Sequence, residues 1–191
     1  MRKLLILSLL LAFSLTFYGQ RLPGVIAASG QVSSPCGGGT SNYGITDGSY
    51  VDFQTMFENY IYYSSITITT CGTVTSINSL IGTNVSTHSH MALYTDNAGS
   101  PGSLVANSTS LAVSQTTNAY NSYTFSINPS VQSSTTYWVA WLSTGGNFNS
   151  YIANSGSKTV MYEAGSSFPA TATGISIATN CYAPFYVTVQ H

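Results

Sequence analysis

The sequence predicts an all-β protein, an antiparallel, jelly-roll-like β-sandwich of about ten strands. Apolar and polar side chains alternate with a period of two in many short runs, for example at Phe185, Val187 and Val189. Clusters of Gly, Asn, Ser and Pro separate these runs. No segment after residue 29 has the 3.6-residue apolar period of a helix. Short strands joined by turns, without intervening helices, are typical of sandwiches and barrels.

Residues 1–29 form a predicted signal peptide. Met1 to Lys3 is basic, Leu4 to Phe17 is an apolar run interrupted only by two serines and one threonine, and residues 25–29 are small enough to suit a signal peptidase. A cut near residues 19–20 is an alternative, and an uncleaved membrane anchor is another. The apolar run is shorter than the roughly 20 residues that span a bilayer as a helix. We therefore expect a secreted protein, extracellular or at the cell surface, without a stable membrane span.

Residues 30–48 are rich in glycine and serine and have little to bury, so we expect a flexible N-terminal arm. Residues 49–191 form the predicted single β-sandwich domain. Strands are expected at roughly 50–57, 60–69, 73–81, 89–95, 103–106, 110–114, 122–128, 136–143, 148–153, 158–163, 174–178 and 184–190.

The chain has few charged residues. They make up 5% of the sequence, whereas a typical domain has about a quarter. Beyond the leader the only basic residue is Lys158, against five acids: Asp47, Asp52, Glu58, Asp96 and Glu163. One lysine cannot neutralise a row of phosphates, so nucleic acid is not an expected partner. A surface with little charge lacks the repulsion that keeps proteins dispersed, so it is either covered by glycans or associates.

Three cysteines follow the leader, and an oxidising compartment favours one disulfide among them. We predict a bond between Cys71 and Cys181, because both flank strand-like segments. Cys36 lies in a glycine-rich stretch that looks mobile. The sequence alone leaves the other pairings open. The spacing matches no zinc motif.

Two segments carry a resemblance. MALYTDNAGSPGSLVANST at 91–109 and YTFSINPSVQSSTTYWVAW at 123–141 resemble extracellular jelly-roll modules of bacterial and archaeal surface proteins. The shared pattern is a strand ending in Leu-Tyr, a D-x-x-G-x-P-G loop and a later Thr-Tyr-Trp strand, and it covers about residues 70–142. The resemblance implies a jelly roll and a role in carbohydrate binding or adhesion. The low charge and the abundance of Tyr, Ser and Thr resemble filament and coat proteins of thermoacidophilic archaea.

The loop at residues 96–102 is predicted to be a corner between two strands. Ala98-Gly99 and Pro101-Gly102 are turn dipeptides, and Asp96 or Asn97 can cap its own backbone in an Asx-turn. A calcium site needs several oxygen ligands with compensating charge. Asp96 is the only carboxylate within 30 residues on either side, so we do not expect calcium.

The other candidate sites for catalysis or metal binding are weak. His88 and His90 share one strand face and could bind a metal with His191 or Asp96 as the third ligand, but we expect two polar residues at a strand end. Asp52 and Glu163 could flank a glycosidic bond, although nothing singles out this pair. We expect no enzyme, no metal and no other cofactor.

Aromatic residues are the best candidates for a binding surface or an interface. Trp138 and Trp141 fall on opposite faces of one strand, so one fills the core and the other is a candidate platform for sugar stacking. The alternative is that both supply core bulk. Tyr60, Tyr62 and Tyr63 are candidates for an interface, where tyrosine is enriched.

Two sequons, Asn84-Val85-Ser86 and Asn107-Ser108-Thr109, predict glycosylation at Asn84 and Asn107. In a chain rich in Ser, Thr and Asn, such triplets also arise by chance.

These features favour a non-enzymatic structural protein of the cell surface, a subunit of an extracellular filament or coat. Its partners would be copies of itself, joined through the sandwich and the N-terminal arm, which could add a strand to an open sheet edge. The alternative function is a monomeric carbohydrate-binding or adhesive module with surface glycans as its ligand.

Overall fold

A computed structural model describes residues 36–46, 52–152, 159–179 and 184–191. In these residues the chain forms thirteen β-strands and no helix, and the predicted antiparallel β-sandwich is confirmed. Accordingly, no described segment is a helix long and apolar enough to cross a membrane. The strands are β1 Thr40–Gly44, β2 Asp52–Met56, β3 Tyr60–Ile68, β4 Gly72–Ile81, β5 Ser89–Asn97, β6 Ser100–Leu104, β7 Ala119–Tyr123, β8 Ser130–Val131, β9 Thr135–Ser143, β10 Phe148–Ile152, β11 Thr159–Ala164, β12 Ser176–Thr179 and β13 Phe185–Gln190.

The strands form two sheets. The first has seven strands in the order β1-β13-β4-β10-β2, with β7 and β8 also pairing with β4. The second has six strands in the order β12-β11-β3-β9-β5-β6. The ends of the two strand orders are therefore β1 and β2 in the first sheet, and β12 and β6 in the second.

The main core lies between the sheets. Successive side chains of a strand point to opposite faces, so apolar residues at alternate positions of the central strands are buried there. Ile77 and Val187 come from the first sheet, and Leu93, Val139 and Trp141 come from the second. The alternation predicted from the sequence is the origin of this core.

A smaller apolar cluster covers the opposite face of the second sheet. Tyr63, Tyr94 and Trp138 are buried in it, and Phe168 from the segment after β11 packs against them. The centre of this sheet is thus buried on both faces. This explains why β9 is buried along nearly its whole length and does not alternate with solvent.

The described part of the predicted flexible arm, residues 36–46, contains a strand. Residues 40–44 form β1, which pairs antiparallel with β13, with Thr40 opposite Gln190. The expected boundary at residues 48 and 49 therefore differs from the structure. Gly44 has a φ of 123°, and a Cβ atom there would lie 2.3 Å from the Phe185 carbonyl oxygen. The remaining arm residues, 30–35 and 47–48, lie outside the described residues.

The disulfide also differs from the prediction. Cys71 is bonded to Cys36, so the predicted Cys71–Cys181 bond is wrong, because a cysteine forms only one such bond. The cause is strand order. Both β1 and the start of β4 pair with the end of β13 at Gln190, which brings the two cysteines to the same end of the sheet. Cys181 lies outside the described residues.

The loop at 96–102 is a tight hairpin turn between two strands, as the corner prediction requires. Ala98 has a φ of 52° and Gly99 a φ of 84°, and two positive values match the two-residue turns that suit twisted hairpins. Asp96 Oδ2 accepts a hydrogen bond of 3.2 Å from the Gly99 N–H, which is the predicted cap. The strands extend further into the loop than expected, since β5 ends at Asn97 and β6 begins at Ser100.

The predicted strand at 110–114 does not form. Residues 110–114 lie alongside β5, but serine hydroxyls replace much of the main-chain hydrogen bonding between the two segments. The Met91 N–H donates to Ser110 Oγ at 2.9 Å, and the Leu93 N–H donates to Ser108 Oγ at 3.1 Å. Side chains of this kind compete with a regular ladder, and one isolated bridge involving Val113 remains.

Candidate functional site: an aromatic cleft

Four aromatic side chains form an open cleft of about 370 Å³ at one edge of the sandwich. Tyr60 and Tyr62 are two residues apart on β3 and therefore share a face. Tyr162 of β11 lies directly opposite Tyr62 in the strand register, and Phe57 immediately follows β2. We call the site formed by these four side chains the aromatic cleft.

The rings of the aromatic cleft contact one another and remain open to solvent. The Tyr60 ring centroid lies 6.4 Å from that of Phe57, 6.5 Å from that of Tyr62 and 6.3 Å from that of Tyr162. These separations are typical of aromatic contacts. Phe57 is 55% exposed and Tyr60 is 37% exposed, so the cleft presents aromatic surface to a ligand.

The Tyr62 hydroxyl fixes one wall of the aromatic cleft. It accepts a hydrogen bond of 2.8 Å from the Phe57 N–H, which links the residue after β2 to the second sheet. Burial raises the pKa of Tyr62, and the bond from Phe57 opposes this shift. The phenol is therefore protonated and uncharged at neutral pH.

The remaining lining residues that the structure describes are uncharged. They are Gln54, Thr55, Met56 and Val160. Gln54 Oε1 is buried and has no hydrogen-bond partner among the described residues. The aromatic cleft thus combines apolar ring surface with one unused acceptor.

The sequence indicates Tyr60 and Tyr62 as interface candidates, but not Phe57, Tyr162 or Gln54. These three reach the cleft through strand pairing and the turn after β2. Alternation within one strand carries no information about such contacts.

Trp138 and Trp141 lie on opposite faces of β9, as the alternation predicts, but neither presents a ring face to solvent. Trp141 is 2% exposed and packs in the main core against Phe148, with ring centroids 4.7 Å apart. Trp138 is 4% exposed and lies in the smaller cluster. Its indole N–H donates to Asp96 Oδ1 at 2.8 Å. An outward tryptophan platform is therefore absent from β9.

Tyr63 is buried in the smaller cluster, away from the aromatic cleft. Its hydroxyl donates to Glu163 Oε1, and the Thr173 N–H donates to Glu163 Oε2 at 3.1 Å. Burial and the bond to Glu163 raise the pKa of Tyr63. Glu163 thus holds the segment after β11 in place over the outer face of the second sheet. The side chain of Asp52, its proposed catalytic partner, lies outside the described part of the structure.

The histidines do not converge. His90 Nδ1 lies 3.3 Å from the Ser110 carbonyl oxygen, and His191 Nδ1 lies 2.8 Å from the Cys71 carbonyl oxygen. The residues that the structure describes contain no group of three or more His, Cys, Asp or Glu side chains that could hold a metal ion.

Both sequon asparagines are exposed. Asn84 Nδ2 donates to the Asn147 carbonyl oxygen at 3.0 Å. Asn107 lies in a turn with a φ of 59°. Their glycosylation stays a prediction.

Comparison with known proteins adds no assignment to this geometry. No protein-family model matches the sequence, and no curated protein gives a significant match.

Proposed function

We propose that this chain is a secreted, non-enzymatic protein of the cell surface whose copies associate into an extracellular filament or coat. Its composition supports association, since only 5% of its residues are charged and mutual repulsion is weak. Exposed apolar side chains add to this tendency: Phe57, Leu111 and Ile177 are all more than half exposed.

The observation that carries the proposal is the edge strand β12. In the described residues β12 pairs only with β11, and its sequence, SIAT, contains neither a charged residue nor proline. Ile177 in its middle is 61% exposed. Monomeric proteins usually protect edge strands with lysine, proline, a bulge or a covering segment, because an unprotected edge pairs with another chain.

The opposite edge of the same sheet provides the contrast. Strand β6 contains Pro101, and its register with β5 is irregular. The segment at 170–172 also covers it, since the Leu104 N–H donates to the Ala170 carbonyl oxygen and the Ala172 N–H donates to the Gly102 carbonyl oxygen, both at 2.9 Å. β6 is thus protected in three ways. Among the described residues, β12 has no proline, no irregularity in its register with β11 and no main-chain bond to a covering segment.

Strand addition at β12 would join one copy to an edge of the next through main-chain hydrogen bonds. A filament needs two different surfaces in each contact, since identical surfaces close into a dimer. The edge strands β1 and β2 of the first sheet are the candidates for the second surface. Of the predicted N-terminal arm, residues 40–44 form β1 and pair with β13 of the same chain, and residues 30–35 and 47–48 lie outside the described residues.

The test replaces Ile177 with lysine, a residue that blocks edge pairing. Ile127→Lys is the matched control, because Ile127 is 63% exposed but lies outside the strands. We expect Ile177→Lys to sediment as a monomer while the wild type and Ile127→Lys form large assemblies. Assembly of Ile177→Lys at the wild-type level would refute the role of β12, and dissociation of both variants would indicate a general effect of charge.

Carbohydrate binding is the second candidate function. The two tryptophans that suggested it are buried, so the observation that favours it is the aromatic cleft.

A further inference from the structure

The aromatic cleft is suited to an uncharged ligand. Of the described residues that line it, none carries a charge, and the adjoining phenol of Tyr62 is neutral. A charged ligand would lose its hydration without gaining a counter-charge, which is unfavourable. A neutral ligand does not meet this penalty.

The acceptor atom Gln54 Oε1 indicates that the ligand carries a hydrogen-bond donor. Gln54 Oε1 is buried without a partner among the described residues, and a buried acceptor that lacks a donor is destabilising. A ligand hydroxyl that donates to this oxygen would remove the penalty. Proline-rich peptides also pack on aromatic grooves, but proline has no N–H to donate.

The exposed rings specify the apolar part. Phe57 and Tyr60 present ring surface at the mouth of the cleft. Aromatic faces carry partial negative charge and attract the weakly positive C–H groups that line one face of a pyranose ring. A molecule with a C–H face and hydroxyl donors at its rim matches both features.

We infer that the aromatic cleft binds a neutral hexose oligosaccharide, with a sugar face on Tyr60 and Phe57 and a sugar hydroxyl donating to Gln54 Oε1. This binding is a function beyond assembly. It uses residues of β2, β3 and β11, whereas Ile177 on β12 carries the assembly proposal, and β2 is shared only if it provides the second assembly surface.

Saturation-transfer difference NMR tests the inference, since it observes the ligand and tolerates a large assembly. The probes are cellohexaose and mannohexaose, with a proline decapeptide as the competing class. We expect at least one hexaose to bind the full protein and the decapeptide to give no signal. Decapeptide binding without hexaose binding, or no binding of any probe, would overturn the inference.

Three variants locate the site. Tyr60→Ala should weaken hexaose binding about threefold to tenfold, from the loss of one aromatic contact. Gln54→Leu should weaken it by a similar factor while leaving unfolding stability equal or higher, because it removes an unsatisfied acceptor. Tyr186→Ala is the control, since Tyr186 is a half-exposed tyrosine on β13 that contacts Tyr120.

Equal hexaose affinity in all three variants would overturn the assignment of the cleft. Sedimentation of the same samples separates the two proposals, because loss of sugar binding with intact assembly bears on the cleft alone.

Discussion

Asp96 connects the β5–β6 turn to Trp138, and its removal is a sharp test of the structure. One carboxylate oxygen accepts the indole N–H of Trp138 at 2.8 Å, and the other accepts the Gly99 N–H at 3.2 Å. Asp96→Ala leaves the indole N–H of a side chain that is 4% exposed without its acceptor, which costs about 1 to 3 kcal/mol. Including the lost turn cap, we expect the free energy of unfolding to fall by about 2 to 3 kcal/mol.

Urea unfolding followed by circular dichroism measures this change, and a double-mutant cycle isolates the contact. Trp138→Phe removes the donor, so Asp96→Ala should be less damaging in that background, with a coupling energy of about 1 to 2 kcal/mol. Asp96→Asn keeps an acceptor oxygen and should lose less than Asp96→Ala. A loss below about 0.5 kcal/mol for Asp96→Ala, or additive effects in the cycle, would refute the contact.

Two further predictions concern the disulfide and the pH dependence of stability. A chymotryptic digest under non-reducing conditions should contain a Cys36–Cys71 peptide, and a Cys71–Cys181 peptide would contradict the structure. Cys36→Ser should lower the free energy of unfolding by about 3 to 4 kcal/mol, because the disulfide closes a loop with a sequence separation of 35. Burial raises the pKa values of Tyr63, Tyr94 and Tyr123, so the folded state keeps these protons above about pH 10, where unfolded tyrosine loses them. Stability should therefore fall above that pH by about 1.4 kcal/mol per pH unit for each tyrosine, and urea unfolding that is unchanged from pH 9 to 11 would contradict their burial.

The alternation of side chains along the sequence predicted the strands that place every second residue in the main core. The expected strand at 136–143 corresponds to Thr135–Ser143, and the one at 184–190 corresponds to Phe185–Gln190. β1 escaped prediction because its stability comes from main-chain pairing with β13. Its sequence, TSNYG, has few apolar side chains to bury.

Features that depend on contacts between distant segments could not be predicted in this way. Alternation placed Trp138 and Trp141 on opposite faces, but it gave no sign that the segment carrying Phe168 would cover the outer face. The pairing of Cys36 follows from strand order, which the chain sequence does not display. Likewise, Tyr162 enters the aromatic cleft only because its strand pairs in register with β3.

Electron microscopy of the protein purified natively from the cell surface tests whether its copies associate. Negatively stained samples of the unmodified protein should show regular filaments or sheets with one repeating β-sandwich subunit. Dispersed single particles at every concentration would contradict association and leave the aromatic cleft as the basis of function.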